Sequence, residues 1–326
     1  MQIMTFARIN FHASEAFTSV QISRRLSLLL VEVGLIALMK RLLVTTGTGM
    51  FGQALIRQLL NHQEVQLRVM VRDSTRFMLT GSNIELVIAD MDQPETLQAP
   101  TQGVTHVFLT SPMDERITAR ETAVIDACKA NGNPHVINIY GAVKHEGDHL
   151  DQMHGVAIEH LKQSGLPWTM VSPSSVMETS FLPLAQMIPE GEVHWMSGDG
   201  KVGFVALDDV ARVLAAVVHG QGHAGKNYEC TGPYAESMPE VVEHLAAVLG
   251  KPIRYCDHDE QDFATMLLKE GLFPDRESME IGLLCHLRAW REGRASLVTD
   301  TVEQITGIPA MTVMEWLRAN RNLFLV

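Results

Sequence analysis

The sequence predicts an α/β protein: a doubly wound parallel sheet followed by a smaller, mostly helical C-terminal lobe. Three observations carry that expectation. From Arg41 onward, short apolar runs rich in β-formers alternate with longer segments of helical period, the signature of βαβ units. The first of these runs ends in the glycine-rich turn Gly47-Thr48-Gly49-Met50-Phe51-Gly52. The chain of 326 residues is 46% apolar and only 20% charged, enough to bury a core and unlike disordered or fibrous sequences.

Strands are expected at 42–46, 66–71, 84–88, 104–109, 134–139 and 168–172. Helices fill the gaps: Met50–Asn61, with Phe51, Leu55, Leu59 and Leu60 at helical spacing, then Ile117–Ala130 and Gly155–Gln163. After about residue 173, Pro173, Pro183, Pro189 and the turn Gly198-Asp199-Gly200 interrupt the alternation. Beyond them Asp208–His219, Pro239–Leu249, Glu260–Glu270, Arg276–Trp290 and Thr312–Ala319 read as helices. Residues 1–38 read as an N-terminal extension. Its apolar run Leu26–Met39 is broken by Glu32 and Gly34 and falls short of the roughly 20 residues that span a bilayer. That run passes into Lys40-Arg41 and then a strand, so no export signal and no membrane partner are expected.

A net charge of −12 opposes a sequence-independent grip on phosphate backbones, so nucleic acid is not an expected partner. Cys128, Cys230, Cys256 and Cys285 lie far apart, without C-x-x-C or zinc-ribbon spacing, which indicates neither a disulfide framework nor a cysteine metal site. A reducing cytoplasm fits that usage best.

The glycine turn carries the first chemistry. It fits G-x-G-x-x-G, follows a strand and opens a helix, where glycines let backbone N–H groups and the helix dipole approach a pyrophosphate. Gly47, Thr48, Gly49, Met50, Phe51 and Gly52 are therefore expected to bind a dinucleotide. The second strand ends at Val71-Arg72-Asp73, where Arg72 suits the 2′-phosphate of NADP, with Arg76 as a second cation one turn on. Asp73 is the acceptor that NAD would need, so NADP is the expectation and NAD the alternative.

The run Val44-Thr45-Thr46-Gly47-Thr48-Gly49-Met50-Phe51-Gly52 resembles the V-T-G-A-T-G-x-x-G loop of atypical short-chain dehydrogenases of the NmrA-like branch, and Val71-Arg72-Asp73 resembles its NADP-side V-R-D. Ala89-Asp90-Met91-Asp92, Leu109-Thr110-Ser111-Pro112, the stretch from His154 to Pro173, Phe204–Ala211 and Gly250-Lys251-Pro252-Ile253 are similar to further elements of that branch, so the resemblance spans about 40–326. It implies a Rossmann core over 39–173 and a substrate lobe over 174–326 with strands returning to the core. It places Asp90 and Met91 by the adenine, and Thr110, Ser111, Pro112, Tyr140 and Pro173 along the cofactor, with Met177 in the substrate pocket. Two positions depart from the pattern: Thr46 stands for the first loop glycine, and Ser172 for the Arg of R-P.

Tyr140-Gly141-Ala142-Val143-Lys144 spells Y-x-x-x-K, but at a strand end rather than on the following helix. On that helix His154 takes the Lys position and Leu150 the Tyr position, so no proton-donating dyad is visible. NmrA-like reductases also lack it, because quinones, azo dyes and iminium-like acceptors take hydride without a dedicated acid. The expected function is an NAD(P)H-dependent reductase of a small electron-poor molecule, with Tyr140 and His154 as the nearest catalytic groups. The rival is a non-catalytic redox sensor of NmrA type acting through a protein partner. The segment His145–His154 fits no standard ligand spacing; it reads as a solvated loop, and no metal is expected.

Overall fold

Strands β1 (Lys40–Val44), β2 (Val65–Val71), β3 (Ile84–Ile88), β4 (His106–Leu109), β5 (His135–Ile139), β6 (Trp168–Pro173) and β8 (Lys226–Cys230) form one sheet, in the order β3-β2-β1-β4-β5-β6-β8. Every pairing in it is parallel. The computed structural model describes residues 39–60, 62–143 and 148–325, and Lys40–Val326 form one compact unit. The expectations for residues 1–38 and for Lys144 lie outside the described residues.

Side-chain alternation explains why these strands read as unbroken apolar runs. Leu42 and Val44 of β1 face one layer, while Leu43 faces the other; Phe108 of β4 joins the first layer, and Val107 and Leu109 the second. Helices α1 (Met50–Leu59) and α4 (Leu207–His219) cover the first face, and α2 (Ile117–Ala130) and α3 (His149–Gln163) the second. Strand order reverses between β1 and β4, and at such a reversal the outgoing loops diverge and leave a crevice at the carboxyl ends.

The lobe has its own core, in which Phe181, Phe204, Trp195, Trp290 and Trp316 pack edge to face or stacked around Met177, Leu245 and Phe263. Its helices include α5 (Met238–Leu249) and α6 (Glu260–Lys269). The lobe also contributes more strand than its composition announces: β7 (Glu192–Trp195) and β9 (Arg254–Asp257) pair parallel as a separate ribbon. Arg276–Trp290, expected as one helix, is helical but widens into a π turn at Glu280–Leu284, where Gly282 removes a side chain from the wide turn. The loop expected up to His154 is helical from His149, because the buried Asp148 carboxylate accepts the N–H groups of Leu150 (3.0 Å) and Asp151 (3.1 Å) as an N-cap. Among the described residues no helix is long and apolar enough to cross a membrane.

Candidate functional site

The crevice at the reversal is a cleft of ≈ 280 Å³. Its floor is the turn between β1 and α1. The Gly47 N–H donates to Met70 O (3.2 Å) and the Gly49 N–H to Thr46 O (3.0 Å), which folds the chain back before α1 begins. A Cβ on Gly47 would stand 2.2 Å from Val69 Cγ1, and one on Gly52 2.1 Å from Thr46 O, so these two glycines let turn, strand and helix approach. Gly49 is the helix N-cap and lines the cleft beside Met50 and Phe51, whose first-turn N–H groups have no acceptor within the helix. A Cβ at Gly49 would have atoms of Thr46 as its nearest neighbours, at 3.3 Å, and Gly49 lines the cleft, so a larger side chain there would extend into it.

Thr46 acquires a reason in this setting. Its hydroxyl is hydrogen-bonded to that of Thr110, while Thr45 Oγ1 donates to Thr110 O (2.8 Å) and accepts from the Thr110 N–H (3.1 Å). The ends of β1 and β4 are thus laced together where the strand order reverses. Among the described non-glycine residues only Asn133 has positive φ, so position 46 makes no demand that glycine alone meets.

Arg72, exposed at the end of β2, forms the rim. Arg76 is exposed at the end of the short turn Ser74–Arg76 and does not line the cleft. Asp73 caps that turn: its Oδ1 accepts from the Thr75 hydroxyl (2.7 Å) and N–H (2.9 Å), bonds that hold its carboxyl below the usual range. Beside β2, on the neighbouring strand, Asp90 and Met91 follow β3 and line the cleft, and Asp90 Oδ1 accepts the Asp92 N–H at 3.0 Å. Thr110, Ser111 and Pro112 complete the lining.

Several participants escaped the sequence reading. Arg120, nearly buried, lines the cleft and makes a two-pronged bond to Asp92 (2.6 and 3.0 Å) while also gripping Asp114 (2.8 Å to each oxygen). The bonds from Arg120 hold the Asp92 carboxyl well below its ordinary range. Behind Ser111 lies Glu121, only 1% exposed, which accepts from the Ser111 hydroxyl (3.0 Å) and the Asn138 amide (2.9 Å). His154 Nε2 approaches the same carboxylate at 3.2 Å. The detectable signal was position: Glu121 falls on the apolar stripe of Ile117, Val124, Ile125 and Cys128, and Asn138 interrupts an apolar strand.

Tyr140 and His154 meet, with ring centroids 5.0 Å apart and edge to face. Neither lines the cleft. Burial, reinforced by Asp151, Glu159 and Asp148, pushes the Tyr140 phenol up to about 12. Gly155 of α3 makes room for it, since a Cβ there would stand 3.3 Å from the phenolic oxygen. Leu150 and His154 are buried. Pro173 closes β6, its carbonyl accepting the Ala142 N–H at 2.9 Å, and Ser172 donates to Asn227 Oδ1 at 2.7 Å, tying β6 to β8. Met177 is fully buried in the lobe's core and stands apart from the cleft lining. A wider open groove of ≈ 680 Å³ runs between Gln98 and α2, but it has Glu115 and Asp126 on its walls and no glycine turn or cation, so it does not suit a pyrophosphate.

A crevice with a glycine turn, a free helix N-terminus and a cationic rim is the architecture of a dinucleotide-binding protein. A family model described as NAD(P)H-binding matches residues 47–221, more than half of the chain, and the chain belongs to that family. It is 30% identical over 291 residues to an NAD(P)H azoreductase of Xenophilus azovorans, covering 87% of this chain and 99% of the relative. It is 27% identical to quinone oxidoreductase 2 of Escherichia coli, over 71% of this chain and 82% of that one. The fold is shared with the NADPH complex of an NADPH-dependent quinone oxidoreductase from Escherichia coli (TM-score 0.77, 24% identity, 86% of this chain and 100% of that one). It is shared also with NmrA, a negative transcriptional regulator, in complex with NADP (TM-score 0.68, 16% identity, 86% and 95%). The chain is thus an NAD(P)H-binding protein of the NmrA-like fold, from a family of NAD(P)H-dependent reductases.

Proposed function

We propose that the chain is an NADPH-dependent reductase that passes hydride to a small electron-poor acceptor of quinone, azo or imine type, without a Tyr–Lys dyad. The observation that carries this reading is the division of labour at the end of β2: Arg72 faces the cleft, while Asp73 is engaged by its own turn. A guanidinium in that place matches the 2′-phosphate of NADPH, with Arg76 beside it; an acidic residue matches NADH. The turn 47–52 and the α1 N-terminus would hold the pyrophosphate, Asp90 and Met91 the adenine side, and Thr110, Ser111 and Pro112 the nicotinamide ribose.

The bound nicotinamide supplies the hydride; the protein's residues hold and place it and supply a proton. Reduction of a quinone takes one hydride and one proton. The Ser111 hydroxyl, which lines the cleft and rests on the buried Glu121 carboxylate, is the group placed to relay that proton to the acceptor. Tyr140 stands outside the cleft lining and its phenol holds its proton tightly, so it is not the acid. We assign 39–173 to cofactor binding and 174–326 to the acceptor side. The relatives named azoreductase and quinone oxidoreductase support the acceptor class.

A second reading, a redox sensor of NmrA type that binds dinucleotide without turnover, is favoured by the burial of Met177, which leaves the expected acceptor wall packed in the lobe. NADPH oxidation against a panel of quinones, azo dyes and imines, run beside calorimetric binding of NADPH, separates the two. The reductase reading expects turnover with at least one acceptor class, and tight binding with no turnover across the panel would favour the sensor.

A further inference from the structure

The ribbon of β7 and β9 presents a cluster that takes no part in the cleft. Its register places Glu192 opposite Arg254 and His194 opposite Cys256, so these four side chains share one face while Val193 and Trp195 enter the lobe's core. On that face His194 Nε2 lies 3.3 Å from Glu192 Oε2, and Cys256 Sγ lies 3.8 Å from the same oxygen. All three donor atoms fall within 4.8 Å of one another. Donors around a tetrahedral zinc ion, at the usual Zn–N, Zn–O and Zn–S lengths, stand about 3.3–3.6 Å apart. The two distances to Glu192 Oε2 already lie within a few tenths of an ångström of that range.

The surroundings are those of a ligand set. The other ring nitrogen of His194, Nδ1, lies 2.8 Å from Nε2 of His258. With His194 as the donor in that bond, its Nε2 carries a lone pair directed at Glu192 and Cys256, which is how a second imidazole orients a ligating one. Arg254 pairs with Glu192 through Oε1 and leaves Oε2 to the cluster. That pairing holds the Glu192 carboxyl below its ordinary range, so it is ionised at neutral pH. All the donors are half-buried, open enough for an ion to enter.

We propose that Glu192, His194 and Cys256 bind a zinc ion, with water in the fourth position and His258 as the residue that orients His194. The thiolate selects a soft or borderline metal over magnesium or calcium, and coordination removes the Cys256 proton, since a bound dication outweighs the burial that raises that thiol's pKa. The ion would clasp two four-residue strands that are otherwise joined by their ladder and the Arg254–Glu192 pair, stiffening this side of the lobe. Spacing rules for zinc sites see ligands close in sequence; here they come from strands some sixty residues apart, brought together by register. The proposal is independent of the reductase reading.

The test takes the full chain, stripped with chelator, and titrates it with zinc by calorimetry and with cobalt(II) by absorbance, where a thiolate ligand gives a charge-transfer band in the near ultraviolet. We expect one equivalent bound, the band present, protons released and a higher melting temperature with zinc. Cys256→Ser should remove the band, and His194→Gln should remove stoichiometric binding. His258→Gln should keep the band and weaken affinity about ten- to a hundredfold. Cys285→Ser, beside a second cluster of Asp148 and His286, should change nothing. Metal-free melting curves show which variants are folded, and either Cys256→Ser or His194→Gln suffices. The proposal is overturned if the wild type binds no stoichiometric metal, or if the band survives in a folded Cys256→Ser and disappears in Cys285→Ser.

Discussion

The two ends of the parallel sheet are built for different work. At the carboxyl ends, around the β1–β4 reversal, N–H groups of the glycine turn, the Thr45–Thr46–Thr110 lacing and exposed Arg72 surround an open cleft. At the amino ends the polar groups are spent on the protein itself. The Lys40 ammonium sits on the last carbonyls of α4, bonding Val218 O, His219 O (2.7 Å) and Gly220 O (3.5 Å). His106 and His135 stack at 5.7 Å and bond Thr105 Oγ1 (2.9 Å) and Thr169 Oγ1 (2.8 Å). Burial lowers both rings' pKa values, His106 to about 4. Because every strand points the same way, one edge collects all the outgoing loops and becomes a site, and the other becomes a seam of stability.

The two ends should differ most at Gly49. Gly49→Val should leave no measurable dinucleotide binding by calorimetry, because its side chain would occupy the space of the pyrophosphate. Lys40→Met, at the other edge, should lower stability by about 1 kcal/mol and leave affinity unchanged. Loss of affinity in Lys40→Met would merge the two edges into one function.

Next in size is Arg72→Ala. Losing charge-assisted bonds of about 1.5–3 kcal/mol should weaken NADPH about ten- to a hundredfold and NADH hardly at all. Equal losses for the two would remove the NADP assignment.

The seam should show itself through pH. The unfolded chain protonates His106 near its ordinary 6.5, whereas the folded chain resists protonation down to about 4. Its contribution to stability is therefore complete above pH 6.5 and is lost as pH falls from 6.5 toward 4. His106→Gln should make the melting temperature decline less steeply across that window, with NADPH affinity following the wild type. The smallest effect belongs to Tyr140→Phe: kcat should fall by less than about tenfold, where loss of a true general acid costs on the order of 10²–10⁴.

How far sequence alone reached follows the same division. The turn from β1 into α1 was legible because each residue acts locally: Gly47 and Gly52 permit contact, and Gly49 caps a helix. Arg72 was legible because strand length fixes its distance from the turn. The Ser111–Glu121–Asn138–His154 network was not, since it joins the end of β4, two helices and a strand, and only the misfit of a carboxylate on the apolar stripe of α2 hinted at it. Ile117–Ala130 was readable to the residue, whereas α3 began six residues before the expected Gly155, because a single Asp148 cap outweighed a segment that looked like loop. β7 and β9, four residues each, are too short for alternation to stand out, and their pairing is set by the lobe around them.

Central to the proposed function is the cleft at the carboxyl ends, which would position NADPH for hydride transfer. Its most direct test is a single turnover: the protein saturated with NADPH, or with NADPH deuterated at the transferred position, is mixed with a quinone while the reduced-nicotinamide absorbance is followed. Rapid loss of that absorbance is expected, slowed by deuterium, and no loss in Gly49→Val. Absorbance that stays constant in a protein shown to bind NADPH tightly would contradict that function.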